Sequence, residues 1–238
     1  MQENNNHKAF RALIILGIIV VSVSSCIYFF SSASFLVDEI VIKGTNRITN
    51  AEIVKRSGIR AGMSTIFFHE ISAKNSLLKN PWIKEVTILK EYPGKVIISI
   101  EEFEPFCIAA FEEGIYLYLN ETGKKLGEIN HKEGLDYPVI TMDGRHDESL
   151  ISQAIQLLQL SKTSNILNWD EISEVKISNR FGIRLLTTDK RYIDFGTGNL
   201  ISKWYKVERI IDRSRSINLI EEYINISSEN MGIVDFKI

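Results

Sequence analysis

Residues 83–102 read IKEVTILKEYPGKVIISIEE, and this stretch decides the fold of the region around it. In its first half, Val86 and Ile88 alternate with polar side chains, and the second half repeats the pattern. Alternation with a period of two is typical of half-buried strands. Tyr-Pro-Gly at 92–94 separates the halves with a turn signal, so the stretch predicts a β-hairpin.

The residues before this hairpin predict one strand and two helices. A β-branched run at 37–44 is followed by helix signals over about 49–58 and 69–78. The order strand, helix, helix, strand, strand predicts a small α+β sandwich over residues 35–104. In the second helix, the apolar side chains expected to lie together are Ile71, Leu77 and Leu78.

Residues 12–30 form an apolar stretch with no charge and no proline. At ~1.5 Å per residue, a helix over this stretch measures about 28 Å, close to the ~30 Å hydrocarbon core of a bilayer. Lys8 and Arg11 precede it, and acidic residues follow at 38–39. The positive-inside rule then predicts a cytoplasmic tail over residues 1–11 and a single-pass type II membrane protein.

Two alternatives to an uncleaved transmembrane helix are open. A cleaved signal peptide would use the small residues at 31–33, although its apolar core is normally ~7–15 residues. A lipoprotein would be modified at Cys26, although the apolar run continues after that cysteine. The length of the stretch favours the uncleaved transmembrane helix.

The composition excludes some classes of function. The chain has 238 residues and a net charge of −2, and its lysines and glutamates intermix without a basic tract, which argues against nucleic-acid binding. Of the two cysteines, Cys26 lies in the predicted membrane segment and Cys107 lies outside it. The extracytoplasmic part is therefore expected to fold without a disulfide.

Residues 105–238 predict a second domain, mostly antiparallel sheet with two packed helices. The predicted strands cover 106–111, 115–119, 172–177, 181–187, 191–195 and 232–238, and the helices cover 148–160 and 199–213. In the last helix, Leu200, Trp204, Val207 and Ile211 form the core stripe, and the cations expected in solvent are Lys203, Lys206 and Arg209.

The order of elements in the first domain, and the phrase at 80–105, resemble the POTRA domain of the FtsQ/DivIB cell-division proteins. The matching residues are Gly44, Asn46, Ile48, Pro81, Trp82, Tyr92, Pro93 and the segment 101–105. The transmembrane segment, one POTRA domain and a β domain together resemble this family over nearly the whole length. The resemblance implies a non-enzymatic protein of the division septum in the inner membrane.

The resemblance also implies partners and a binding surface. Partners of the family are the small membrane proteins FtsB and FtsL, which dock on the C-terminal region. A terminal strand at a sheet edge offers unpaired backbone groups to such a partner. The residues that match the family's partner-facing positions are Arg180, Val234, Asp235, Phe236, Lys237 and Ile238. The alternative is that Val234 and Phe236 are plain core residues and Arg180 is an ordinary exposed arginine.

Several motifs that resemble enzyme sites lack the companions that catalysis needs. Ser-x-x-Lys occurs at 76–79 and 173–176, but the Ser-Asp-Asn and Lys-Thr-Gly elements of penicillin-binding enzymes are absent from the sequence. Gly-Thr-Gly at 196–198 lacks the third glycine of a dinucleotide fingerprint. His131, Asp143, His146 and Asp147 could form a metal site, but they fall in predicted loops, where polar side chains are expected, so the sequence favours polar loops.

The sequence therefore predicts a scaffold of the bacterial division machinery with no catalytic activity, metal or cofactor, and with no nucleic-acid or small-molecule ligand. Other division components are expected partners besides FtsB/FtsL-like proteins. The alternative function is a secreted or lipid-anchored POTRA protein that assists outer-membrane protein assembly. That alternative requires an N-terminus that is cleaved or lipidated. Whether residues 12–30 stay in the mature protein as an unmodified helix therefore distinguishes the divisome scaffold from the outer-membrane assembly protein.

Overall fold

A computed structural model of the chain describes residues 3–30, 35–66, 68–111, 114–129, 136–143, 148–228 and 231–237. Helix α1 spans Glu3–Phe30, and the chain separates into two compact units that divide after Glu102. None of the helices within the described ranges is both long enough and apolar enough to span a membrane.

The first unit confirms the predicted order of elements. The elements are β1 (Glu39–Lys43), α2 (Asn50–Ser57), α3 (Glu70–Leu77), β2 (Ile83–Glu91) and β3 (Lys95–Glu102). The sheet order is β1-β3-β2, with β3 parallel to β1 and antiparallel to β2. The side chains that fill the core between helices and sheet include Ile53, Leu77, Val86, Val96 and Ile98.

Helix α2 has both of the predicted end signals. The Thr49 hydroxyl accepts the N–H of Glu52 at 3.3 Å, which satisfies one free donor of the first turn. Gly58 takes the left-handed conformation at φ +70° and its N–H donates to the Val54 carbonyl. These two contacts explain why the helix begins and ends where the sequence indicates.

The carboxylate of Glu102 fixes the loop that follows β1. It accepts the backbone N–H groups of Asn46, Arg47 and Ile48 at distances of 3.0 to 3.3 Å. Gly44, at the end of β1, has φ +78°, and a Cβ there would lie 2.1 Å from the carbonyl oxygen of Ile100. Only glycine fits this close approach of two backbones.

One core prediction in this unit was wrong. Ile71 is 76% exposed and Leu78 is also exposed, whereas Ala73 and Leu77 face the core. Helix α3 has only eight residues, and its buried side is set by Ala73 and Leu77, which are four residues apart and therefore lie on the same side of the helix. Ile71 therefore lies on the solvent side of a helix too short to bury more than one stripe.

The second unit is built on a nine-stranded sheet. Its elements are β4 (Cys107–Ala110), β5 (Tyr116–Leu119), β6 (Lys125–Glu128), β7 (Val139–Asp143), α4 (Glu148–Lys162), β8 (Ile172–Ser178), β9 (Gly182–Thr187), β10 (Tyr192–Gly196), α5 (Leu200–Ser216), β11 (Glu221–Asn225) and β12 (Ile233–Phe236). The strand order is β12-β11-β10-β9-β8-β7-β4-β5-β6.

This sheet is mixed, with antiparallel pairs in the majority. The pairs β4·β7, β7·β8 and β10·β11 are parallel, and the remaining pairs between described strands are antiparallel. Both α4 and α5 pack on one face, where Leu158, Trp204 and Val207 belong to the same core cluster as the strand residues. The opposite face of the sheet is left uncovered by these two helices.

Candidate partner-binding edge

The terminal strand β12 lies at one edge of the nine-stranded sheet, where the sequence predicts it. It pairs antiparallel with β11, and Val234 lies opposite Ile224. No other described strand pairs with β12 on its far side. The strand therefore presents a row of backbone groups that another chain can bind.

The side chains of β12 alternate between the two faces of the sheet. Val234 is half-buried against the core, and Phe236 is half-buried toward α5. Ile233, which is 60% exposed, and Asp235 lie on the uncovered face. Val234 and Phe236 thus have a packing role as well as an edge position.

The direction of the backbone groups also alternates along β12. The N–H of Lys237 donates to the Ile220 carbonyl at 2.8 Å, so it points toward β11. Because successive residues of a strand direct their N–H and C=O groups to opposite sides, those of Val234 and Phe236 point away from β11. These two residues supply the free donors and acceptors of the edge.

Contacts with neighbouring segments fix the C-terminal end of β12. Lys237 Nζ donates to the carbonyl of Asp189 at 3.1 Å. Phe236 lies opposite Glu221, whose buried carboxylate faces Arg191. The position of β12 therefore depends on two charged residues: Arg191, directly before β10, and Glu221, the first residue of β11. Ile238, the last predicted partner residue, lies outside the described residues.

Lys203 was predicted to be solvated, and that prediction was wrong. It is 2% exposed, and its Nζ donates to the carbonyls of Phe195, Thr197 and Ser227 at 2.8, 2.6 and 2.9 Å. One ammonium group thus joins the end of β10, the loop before α5 and the segment after β11. Its three protons match three backbone acceptors.

A polar network crosses the uncovered face beside the edge. Arg184 on β9 forms a bidentate pair with Asp194 on β10, with Nη2 at 2.9 Å from Oδ2, and the Tyr223 hydroxyl on β11 donates to the same carboxylate at 2.7 Å. Partial burial raises the pKa of Asp194, but the hydrogen bonds from Arg184 and Tyr223 outweigh burial and hold that pKa below its ordinary value.

Arg180 is not brought into contact with β12. It lies in the turn between β8 and β9, is exposed, and its guanidinium is 6.0 Å from the ring centroid of Phe181. The strands β10 and β11 separate β9 from β12, which corresponds to about 14 Å at ~4.8 Å per strand. A partner that contacts both positions must extend across the uncovered face.

The motifs that resembled enzyme sites lie in structural positions. The hydroxyl of Ser76 donates to the Arg56 carbonyl at 2.7 Å, and Ser173 lies within β8. Gly196 and Gly198 form a turn before Asn199, whose side chain caps α5.

Burial raises the pKa of the Cys107 thiol to about 12. Within the described ranges, no three metal-binding side chains come together; His131, His146 and Asp147 lie outside those ranges.

The sequence analysis did not predict strands β6, β7 and β11, the buried carboxylate of Glu221, or the burial of Lys203. The burial of Lys203 had a local signal, because position 203 follows Leu200 by three residues and precedes Val207 by four, on the buried stripe of α5. Glu221 had no such signal, because its partner Arg191 is distant in the sequence.

Two domain families match the chain. A profile described as "POTRA domain, FtsQ-type" matches residues 35–103, and one described as "Cell division protein FtsQ/DivIB, C-terminal" matches residues 110–235. The second match alone spans more than half of the chain and includes most of β12. The Ser-x-x-Lys segments thus fall in domains of cell division proteins.

Curated relatives agree with these matches. Cell division protein FtsQ of Geotalea daltonii is 23% identical over 209 residues, covering 84% of this chain and 75% of that protein. Cell division protein FtsQ of Syntrophotalea carbinolica is 26% identical over 214 residues, covering 86% and 75%. Cell division protein DivIB of Listeria monocytogenes is 28% identical over 149 residues, covering 63% and 54%. The two-domain match and these relatives place the chain in the FtsQ/DivIB family of cell division proteins.

Proposed function

We propose that this chain is a single-pass scaffold of the bacterial divisome that holds FtsB/FtsL-type partners outside the cytoplasm. In this role it links early division proteins to septal wall synthesis without catalysing a reaction. The open edge of β12 is the observation that carries the proposal, because Val234 and Phe236 direct unpaired backbone groups to solvent there. The family's place in cell division supports it.

Residues 12–30 act as the membrane anchor in this proposal. They lie within α1, and every described side chain from Leu13 to Tyr28 is exposed, including the apolar ones. Although no helix within the described ranges meets the length and apolarity of a membrane span, the uncharged run of the sequence at 12–30 supports an anchor, because lipid would cover these exposed apolar side chains. The residues outside the cytoplasm would form a POTRA domain over 35–104 and a β domain over 105–238.

A proline at Val234 tests strand addition. The N–H that it removes points away from β11, so the β11·β12 ladder is retained while the outer edge loses a donor. Val234→Ala is the matched control, because it shortens the same side chain and keeps the N–H. We expect Val234→Pro to abolish co-purification of the FtsB-type partner and Val234→Ala to retain it.

The denaturation midpoint of each variant establishes that it is folded. Unchanged co-purification with a folded Val234→Pro protein would remove the strand-addition mechanism. Equal loss in both variants would instead assign the interaction to the side chain of Val234.

The divisome role itself is tested in growing cells. We expect a fluorescent fusion on the N-terminus to form a midcell band, and depletion of the protein to give filamentous cells. A uniform envelope signal with normal cell length would contradict the divisome role and favour the outer-membrane assembly function. Protease protection of the same fusion in spheroplasts checks the orientation, since a cytoplasmic N-terminus stays protected.

A further inference from the structure

A pocket of about 420 Å³ lies at the end of the nine-stranded sheet where the parallel strands β7 and β8 begin. Val139, the first residue of β7, and Ile172, the first residue of β8, both line it. Four strand spacings, about 19 Å at ~4.8 Å per strand, separate β8 from β12. The pocket is therefore a different site from the proposed strand-addition edge.

Two aromatic rings form part of the pocket wall. Tyr137 and Trp169 line the pocket, and their ring centroids are 6.1 Å apart with the ring planes at 74°. Each ring is held by a buried one, because Trp169 stacks on Phe106 at 6.0 Å and Tyr137 meets Tyr118 at 5.8 Å. The faces of aromatic rings carry negative partial charge and attract cations, so this wall favours a positively charged ligand.

Two carboxylates belong to the same pocket. Asp136 and Asp170 line it, and both side chains are exposed. No lysine or arginine occurs among the described lining residues, and neither carboxylate forms an ion pair with any residue that the structure describes. The pocket therefore carries two negative charges that the described part of the chain does not neutralise.

Trp169 also has a hydrogen-bond donor without an acceptor. Its Nε1 is buried and has no partner in the described structure, whereas a buried indole N–H usually has one. A polypeptide has both kinds of group that this wall lacks, since a basic side chain supplies a cation and a backbone carbonyl supplies an acceptor. The combination favours a basic peptide over a simple amine.

We propose that this pocket binds a lysine side chain of a partner polypeptide, with the ammonium group paired with Asp136 and Asp170. The aliphatic stem of the lysine packs against Tyr137 and Trp169, as the long apolar stem and charged head of this residue allow. A neutral sugar would leave both carboxylates without a counter-charge. A hard metal ion needs six or more oxygen ligands, and the aromatic wall supplies none. The site is independent of strand addition at β12 and gives the chain a second contact.

The test uses the full-length chain in an uncharged detergent, with isotope-labelled tryptophan, and follows the indole N–H resonances of Trp82, Trp169 and Trp204. Of these three residues, only Trp169 lines the pocket. The probe is a pentapeptide with blocked ends and one central lysine among alanines, and the control peptide carries glutamine in place of lysine. Titration gives the affinity of each peptide from the shift of the Trp169 resonance.

Three variants identify the groups that bind the lysine. Asp136→Asn/Asp170→Asn removes both charges from the pocket, and Tyr137→Leu removes one aromatic ring. The matched control is Glu128→Gln/Asp212→Asn, which removes two exposed carboxylates that do not line the pocket. Denaturation midpoints verify that the variants are folded.

We expect the lysine peptide to shift the Trp169 resonance to saturation and the glutamine peptide to bind at least about fivefold more weakly. Affinity for the lysine peptide should fall about fivefold in the double Asn variant and about threefold in Tyr137→Leu. The control variant and Val234→Pro should bind it like the unmodified chain. Because the carboxylates are exposed, the difference between the two peptides should shrink between about 50 mM and about 500 mM salt.

Equal affinity for the two peptides, or no saturable shift with either, would overturn the inference. An equal loss of affinity in the control variant and in Asp136→Asn/Asp170→Asn would also overturn it, because the effect would then follow the total charge of the chain. A response of the Trp169 resonance to a trisaccharide of N-acetylglucosamine, or to Ca²⁺ alone, with none to the lysine peptide would assign the pocket to a sugar or a metal ion and contradict the proposal.

Discussion

Arg191 and Glu221 form a buried ion pair, with Arg191 Nε at 3.3 Å from Glu221 Oε2 and side-chain exposures of 8% and 2%. The pair joins the residue before β10 to the first residue of β11, directly opposite Phe236 of the edge strand. Glu221 Oε1 has no hydrogen-bond partner in the described structure. The strand that pairs with β12 therefore begins at a buried ion pair, and the free-energy cost of removing its charges from water is not fully offset by hydrogen bonds.

Removing one member of this pair should destabilise the second unit strongly. Glu221→Ala removes the buried carboxylate that faces Arg191 Nε, while Asp189 Oδ2 stays 3.2 Å from Arg191 Nη2. Because one of the two ion pairs of Arg191 remains, we expect a loss of about 2–3 kcal/mol in the free energy of unfolding. The double variant Arg191→Met/Glu221→Leu removes both charges and should lose less than either Glu221→Ala or Arg191→Met alone. Urea denaturation followed by tryptophan fluorescence measures all three, and a double variant as unstable as the sum of the single losses would contradict the prediction.

Removing the buried ammonium group of Lys203 should also lower the free energy of unfolding of the second unit. Lys203→Met retains the aliphatic stem but leaves the carbonyls of Phe195, Thr197 and Ser227 without their shared donor. We expect a loss of about 2–4 kcal/mol, since hydrogen bonds from charged groups contribute more than neutral ones. Arg209→Met, on the exposed side of the same helix, is the control and should change stability by less than about 0.5 kcal/mol. A Lys203→Met protein as stable as the control would show that water replaces the ammonium group.

The hairpin and the helix ends could be predicted from sequence because local rules determine them. In the hairpin at 83–102, the alternation of apolar and polar residues determines which side chains are buried once the helices cover one face of the sheet. Helix α2 ends at Gly58 because that glycine adopts the left-handed backbone conformation. The prediction for Ile71 failed because apolar character alone does not indicate which side of a short helix meets the sheet.

The position of β12 at a sheet edge could be predicted from the sequence, but the contacts that support this strand could not. A C-terminal strand tends toward an edge, and β12 lies there. Glu221 and Lys203, which support this edge, are charged residues: Glu221 meets Arg191, and Lys203 meets three backbone carbonyls, and the apolar pattern of the sequence indicates neither set of contacts. Strand β11 was missed because Glu221 and Glu222 begin it, and only tertiary contacts make an acidic start compatible with a strand.

Acid should weaken the second unit through Asp194. Its pKa in the folded chain lies below the ordinary value of 3.8, so it contributes stability above that pH and loses it as the pH falls through the folded pKa. Asp194→Asn should cost about 1 kcal/mol at pH 7, and the difference from the unmodified chain should shrink as the pH falls below 3.8 and through the folded pKa of Asp194. Urea midpoints from pH 7 to pH 2.5 measure this, with Asp212→Asn as an exposed control. A constant difference at every pH would assign the effect to side-chain shape instead of charge.

Arg180 should contribute to partner binding less than the edge does. The turn that holds Arg180 leads into β9, which lies three strand spacings, about 14 Å, from β12, so only a partner that also covers β10 and β11 contacts both. Phe181 beside it is 71% exposed and offers an apolar surface to the same partner. We expect Arg180→Glu to weaken binding of the FtsB-type segment about fivefold, a typical effect of a rim charge, whereas Val234→Pro abolishes it.

Phe181→Ala separates the two contributions of this turn, because it removes the apolar surface and leaves the arginine charge. Isothermal titration of each variant against the partner segment gives the affinities, and Lys125→Glu, on β6 at the opposite edge of the same sheet, controls for a general effect of charge. If Arg180→Glu and Phe181→Ala both bind like the unmodified chain, the partner is confined to the β12 edge. Arg180 is then an ordinary exposed arginine, and the uncovered face is open to a different division protein.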